Sequence, residues 1–171
     1  MRGWVAASLA AGALVLTACG GSRSDPNLIT QSSIGPLRLG EPRSLVDAAL
    51  GRGTVVRHRV QPYGDLAGWT VTRVRYPRQH LGVSYATKPG GMPVAVLLAT
   101  ASSMYVTDDG GRVGDSVEHL RGLFNMHCAF GACFDGPPLR GVGFMIDHGR
   151  ASAIEVVPGS GYPIVIWEAD A

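Results

Sequence analysis

A marked excess of either charge is missing from this chain, and so are most of the signatures by which enzymes announce themselves. Fifteen Lys and Arg stand against thirteen Asp and Glu. That balance gives no electrostatic footprint for nucleic acid. Lysine is nearly absent, with Lys88 alone beside fourteen arginines, a usage typical of high-GC bacterial genomes. No H-E-x-x-H, P-loop or dinucleotide fingerprint occurs, and no G-x-S-x-G elbow marks a hydrolase nucleophile. The apolar run Val5 to Leu16 covers twelve residues, well short of the roughly 20 that a spanning helix needs. Cysteines number three, and beside Cys128 and Cys133 the second tight ligand pair that a structural zinc site usually shows is missing.

What is present first is an address. Arg2 supplies a short positive start, the apolar run follows, and Leu16-Thr17-Ala18-Cys19 with Gly20 behind it has the layout of a lipobox. The expectation is a lipoprotein signal peptide over 1–18, removed so that Cys19 becomes the N-terminus carrying a diacylglyceryl group and a palmitate-type chain. At about 0.8 kcal/mol per buried methylene, two or more acyl chains hold a protein on a bilayer where one does not. The alternative is an ordinary export signal with a coincidental cysteine. After the cut, fourteen basic residues face thirteen acidic ones.

The segment Gly20 to Ser33 is polar, rich in Gly and Ser and without periodicity. It reads, as 19–33, as a flexible tether that keeps the body about 20 Å from the lipid. Residues 34–171 then suit one compact domain. With Cys19 assigned to lipid, Cys128 and Cys133 remain as an even pair in a compartment where disulfides persist. A short hairpin brings opposed residues close enough to bond. The competing reading makes Cys128 a metal ligand beside His127, with His119 or His148.

Pro42 at a helix start, apolar residues at 45, 46, 49 and 50, and Gly51 as a stop predict a short amphipathic helix. Strand-like segments follow at 54–60, 69–76, 81–87 and 94–101. The second half has the same plan. Setting Gly114 beside Gly40 aligns Val113 with Leu39, Leu120 with Val46, Leu123 with Ala49 and Phe124 with Leu50. Asp115 with Glu118 reads as a capping box for a helix over 116–125. Strands are expected after it at 141–146, 151–157 and 164–168. Two readings stay open: tandem halves at 34–101 and 102–171, or two like helices that happen to align. Either way the fold class is α+β, short helices packed on an antiparallel sheet.

The pattern Gly35 to Gly51, a glycine, four residues, a glycine, then a short helix with a Val and a Leu-Gly end, is similar to the opening of the BamE/SmpA outer-membrane assembly lipoproteins. The β-lactamase inhibitor protein family shares such a helix-plus-sheet repeat, and small actinobacterial lipoproteins look alike. Those families usually have Met, then Ser or Thr, where this chain has Glu41-Pro42. The resemblance implies a sheet used to bind other proteins; it transfers no functional residue.

Two function classes follow. The first is a membrane-anchored binding or scaffold module of the bacterial cell envelope, partnered with the lipid bilayer through Cys19 and with another envelope protein. Trp69, Tyr63, Tyr76 and Trp167 are its candidate contacts. The second is an envelope hydrolase using Asp147 and His148 as an acid–base pair with Ser160 or Ser116 as nucleophile. No cofactor or metal is expected in the first reading.

Overall fold

The computed structural model describes residues 25–61, 66–129, 131–136 and 141–158. Cys19 and the lipobox expected at 16–19, Tyr63, Ser160, Trp167 and the strand expected at 164–168 lie outside them. Strand β1 (Leu28–Thr30), β2 (Ser33–Ile34) and β3 (Leu37–Arg38) precede helix α1 (Arg43–Leu50). Four longer strands follow: β4 (Thr54–Val60), β5 (Thr70–Tyr76), β6 (Leu81–Thr87) and β7 (Val94–Thr100), with a 3-10 turn at Pro77–Gln79. After β8 (Val106–Thr107) come α2 (Val117–Leu123), β9 (Met126–Ala129), β10 (Ala132–Asp135), β11 (Gly141–Asp147) and β12 (Arg150–Val157). The fold is α+β but dominated by sheet.

Eight strands form one antiparallel sheet in the order β4-β5-β6-β7-β12-β11-β10-β9. Side chains alternate across it. Its inner face carries Val74, Tyr76, Val83, Tyr85, Leu98, Phe144, Ile154 and Val156, all buried in one core with Val46 of α1 and Leu120 of α2. A small second sheet, β3-β2-β1-β8, packs on the same face through Ile29, Ile34 and Leu37.

That small sheet corrects the tether. Residues 28–33 belong to the fold, because Ile29 and Ile34 pair across the β1–β2 hairpin and both are fully buried. Leu28, Ile29 and Ile34, the apolar residues of an otherwise polar stretch, were enough to pull the segment onto the core. The expected capping box of Asp115 and Glu118 gives way to a simple N-cap one residue later. Ser116 is the N-cap, its hydroxyl accepting from the His119 N–H at 3.2 Å, whereas the Asp115 carboxylate accepts from the Arg112 N–H at 2.8 Å.

The connections into the two helices match bond for bond. The Gly40 N–H donates to Ala95 O and the Ala95 N–H to Glu41 O; in the second half Gly114 donates to Ala151 O and Ala151 to Asp115 O, all at 2.8–2.9 Å. Both glycines have positive φ, +82° and +97°, a conformation that disfavours any side chain. Both hairpins that end the halves also slip register at one place, between Ser84 and Tyr85 and between Met145 and Ile146. At the centre of the sheet Ala99 pairs with Glu155, with Leu98 opposite Val156 and Thr100 opposite Ile154.

A polar cluster fastens α1 to the sheet. The Tyr76 hydroxyl donates to Asp47 Oδ1 at 2.7 Å and lies 2.8 Å from the Tyr85 hydroxyl, while Arg43 Nε reaches Asp47 Oδ2 at 3.3 Å. Burial pushes the Tyr85 phenol up to about 12, and burial with the Tyr85 and Asp47 hydrogen bonds raises that of Tyr76 as well. Both stay neutral donors. Tyr76 is thus a core residue.

Candidate functional site

Among the described residues, both helices and the small sheet pack on the inner face of the large sheet. Its outer face is read directly from the strand registers. One row crosses all eight strands: Thr54, Arg75, Gly82, Ala99, Glu155, Gly143, Phe134 and His127. Arg73 lies on β5 two residues from Arg75, so it shares this face.

The two halves of the row differ. A side chain at Gly143 would strike the Phe134 ring, which lies over it. At Gly82 the nearest atoms to such a side chain belong to Ala99, at 3.9 Å, an ordinary contact. The position filled by an aromatic ring in the second half is therefore left open in the first. A depression of about 520 Å³ lies there, lined by Arg73, Arg75, His80, Gly82, Ala99 and Glu155 among others.

Glu155 is 8% exposed in the floor of this trough. Burial pushes its carboxyl up to about 7, against the pull of Arg73, which favours the ionised form. Near neutral pH it is thus half protonated and can donate as well as accept. His80 stands at one rim with φ +55°, an uncommon conformation for a residue other than glycine. It is held there by the Thr100 hydroxyl donating to its carbonyl at 2.9 Å, and the preceding turn by the Tyr105 hydroxyl donating to Gln79 O at 2.9 Å.

Overall neutrality conceals strong segregation of charge. Between Asp47 and Asp108 the sequence holds seven Lys and Arg but one acidic residue, Asp65; from Asp108 onward it holds nine acidic residues and four Arg. The outer face gathers part of the basic excess, since Arg57 sits directly opposite Arg73 on β4. Opposed like charges cost stability. The sheet accepts that cost beside an open trough, where an anion would relieve it.

The residues expected from sequence lie elsewhere. Cys128 and Cys133 are partners across β9 and β10, Cα atoms 4.0 Å apart and sulfurs at bonding distance. Asp147 and His148 sit in the exposed β11–β12 turn, Nδ1 to Oδ1 2.8 Å, with side chains 68% and 93% exposed. Ser116 caps α2. These groups are spread over separate turns and no described serine hydroxyl bonds to either. Among the described residues no three His, Cys, Asp or Glu converge on a metal position, and no helix is long and apolar enough to cross a membrane. Trp69 lies under the Lys88 ammonium, 4.8 Å from the ring centroid.

No protein-family model, curated protein or solved structure matches this chain. The site therefore rests on geometry alone. Sequence reasoning missed Glu155, Arg73 and Arg75, although a carboxylate inside Ala-Ile-Glu-Val-Val and two arginines alternating in Thr-Arg-Val-Arg-Tyr were visible. A basic wall, a small-residue floor and a buried carboxyl that can share a proton can bind a polar group. The two hydroxyls in the lining donate to backbone carbonyls, Thr100 to His80 O at 2.9 Å and Ser152 to Met145 O at 3.2 Å.

Proposed function

We propose that this chain is a lipid-anchored binding module of the bacterial cell envelope, held at the extracytoplasmic face of the membrane through acylated Cys19 and recognising another envelope protein with the outer face of its sheet. The observation that carries the reading is the unequal use of the two faces. One is consumed by the core, and the other presents an open, charged trough. The matched helix connections, the repeated register slip and the register symmetric about Ala99 and Glu155 support the further reading that the sheet arose from two copies of one helix-plus-four-strands unit. Two such units laid edge to edge give a sheet about eight strands, or roughly 35 Å, wide, whose outer face buries one apolar cluster around Phe134 and another around Val71 and leaves the trough open beside them. That width suits a partner protein better than a small metabolite. It also agrees with the protein-binding use implied by the resemblance at Gly35 to Gly51.

The test is made in native envelope. Wild-type chain is expected to carry a fatty-acid adduct at Cys19, to sediment with membranes and, after crosslinking and affinity capture, to bring down one reproducible protein. Cys19→Ser should lack the adduct, leave the membrane fraction and lose most of the capture. Unchanged membrane retention of Cys19→Ser would remove the anchor. Capture of nothing, together with turnover of an envelope substrate, would replace the binding reading with the hydrolase.

A further inference from the structure

The trough is chemically specific enough to say what kind of group enters it, given that the outer face binds a partner protein. Arg75 and Glu155 occupy the same row, three strand spacings apart, or about 14 Å between backbones. Between them lie only Gly82 and Ala99, so the floor is flat and carries nothing larger than a methyl group. The charged and titratable groups facing this space are Arg73 and Arg75 from β5, His80 from the turn before β6, and Glu155 from β12, with Arg57 behind Arg73 on β4. Four of these five are basic or able to become so.

A cation would meet Glu155 but also two guanidinium groups, and an apolar side chain would leave Arg73, Arg75 and Glu155 desolvated without new partners, which costs free energy. A carboxylate satisfies all of them. Guanidinium groups hold planar oxyanions through paired N–H donors, and a protonated Glu155 supplies a third hydrogen bond from the opposite side.

We propose that the trough between Arg75 and Glu155 receives an aspartate or glutamate side chain from an exposed acidic segment of the partner protein, its carboxylate held by Arg73 and Arg75 and hydrogen-bonded by Glu155. Gly82 makes the space, standing where the second half has its Phe134-covered glycine. The basic excess of the first half supplies the field that draws an acidic segment to it. Proton uptake by Glu155 links the two events. A bound carboxylate beside an ionised Glu155 is a like-charge pair, so binding weakens as pH rises through about 7.

The experiment uses the full chain in detergent micelles and a fluorescent six-residue peptide of Gly and Ser carrying two Asp, with Asn and Lys versions as controls, read by anisotropy. The Asp peptide is expected to bind at least tenfold more tightly than either control. Arg75→Gln should weaken it about tenfold and Gly82→Val, which fills the floor without changing charge, should abolish it. Circular dichroism is expected to show both variants folded; amide shift changes in wild type, centred on Gly82 and Ala99, report the site should either variant fail to fold. Arg59→Gln, on the same face but off the row, should leave affinity within twofold. Wild-type affinity should fall about tenfold from pH 6 to pH 8, Glu155→Gln should hold its affinity at pH 8, and His80→Gln should keep the wild-type pH profile. Equal binding of Asp and Asn peptides, an Arg59→Gln effect as large as that of Arg75→Gln, or a pH profile that disappears with His80 would overturn the proposal. If that happens while a crosslinker on the outer face still captures the partner, only the acid-recognition inference fails. If both fail, the binding face fails with it.

Discussion

Glu155→Gln is expected to stabilise the protein by about 3 kcal/mol at pH 8 relative to wild type and to leave it nearly unchanged at pH 4.5. In the folded chain the carboxyl protonates at about 7, against an ordinary value of 4.5, because burial penalises the charged form more than Arg73 favours it. A group whose value rises on folding contributes stability while it is protonated in both states. For Glu155 that contribution is full below about pH 4.5, declines between 4.5 and 7, and is gone above. The amide has no charge to bury, so the variant lacks this decline. Urea unfolding of both proteins from pH 4.5 to 8.5 measures the difference directly. Parallel curves across the whole range would mean that the carboxyl is solvated in the folded protein and that the trough floor is wet.

The second large effect lies on the inner face. Phe144→Ala is expected to cost about 3–5 kcal/mol, since the ring is completely buried and its removal leaves a cavity the surrounding strands cannot close. Phe144 pairs with Cys133 on one side and Ile154 on the other, and its ring centroid lies 5.1 Å from that of Phe124, which follows α2. Deleting it therefore loosens the helix as well as the sheet. The same slot in the first half is filled by Val83, opposite Leu98, and Val83→Ala should cost roughly half as much because fewer atoms leave. In a domain whose total stability is about 5–15 kcal/mol, Phe144→Ala reads as a large fall in urea midpoint at unchanged slope. A loss below about 1 kcal/mol would show that α2 is not seated on this core.

Periodicity made much of the fold legible. β6 and β10 stand on apolar alternation or a cysteine pair, and the spacing of Leu45, Val46, Ala49 and Leu50 gave α1 its sticky side. The β1–β2 hairpin was missed because only Leu28, Ile29 and Ile34 signal it, and three apolar residues in a polar run have no period to detect. Phe134 looked like any strand aromatic; that it covers Gly143 while Gly82 stays bare depends on which residues share a row, and register across eight strands is a long-range property that no local window contains. The candidate site was illegible for the same reason. Arg75 and Glu155 are eighty residues apart in sequence, and only the chain of pairings through Gly82 and Ala99 brings them into one trough. Charge segregation was readable from sequence, but a net sum near zero hid it. A lipobox-like pattern such as Leu16-Thr17-Ala18-Cys19 is read without any fold, which is why sequence pointed first to the membrane and not to the sheet.

A photocrosslinking amino acid placed singly at Thr54, Arg59 or Ser152 on the outer face, and at Leu45, Glu118 or Leu123 on the helix side, tests the division of labour between the two faces in living cells. One protein adduct of constant mass, formed from the outer positions and absent from the helix positions, is the result expected. Adducts from both sides alike, or from the helix side alone, would contradict it.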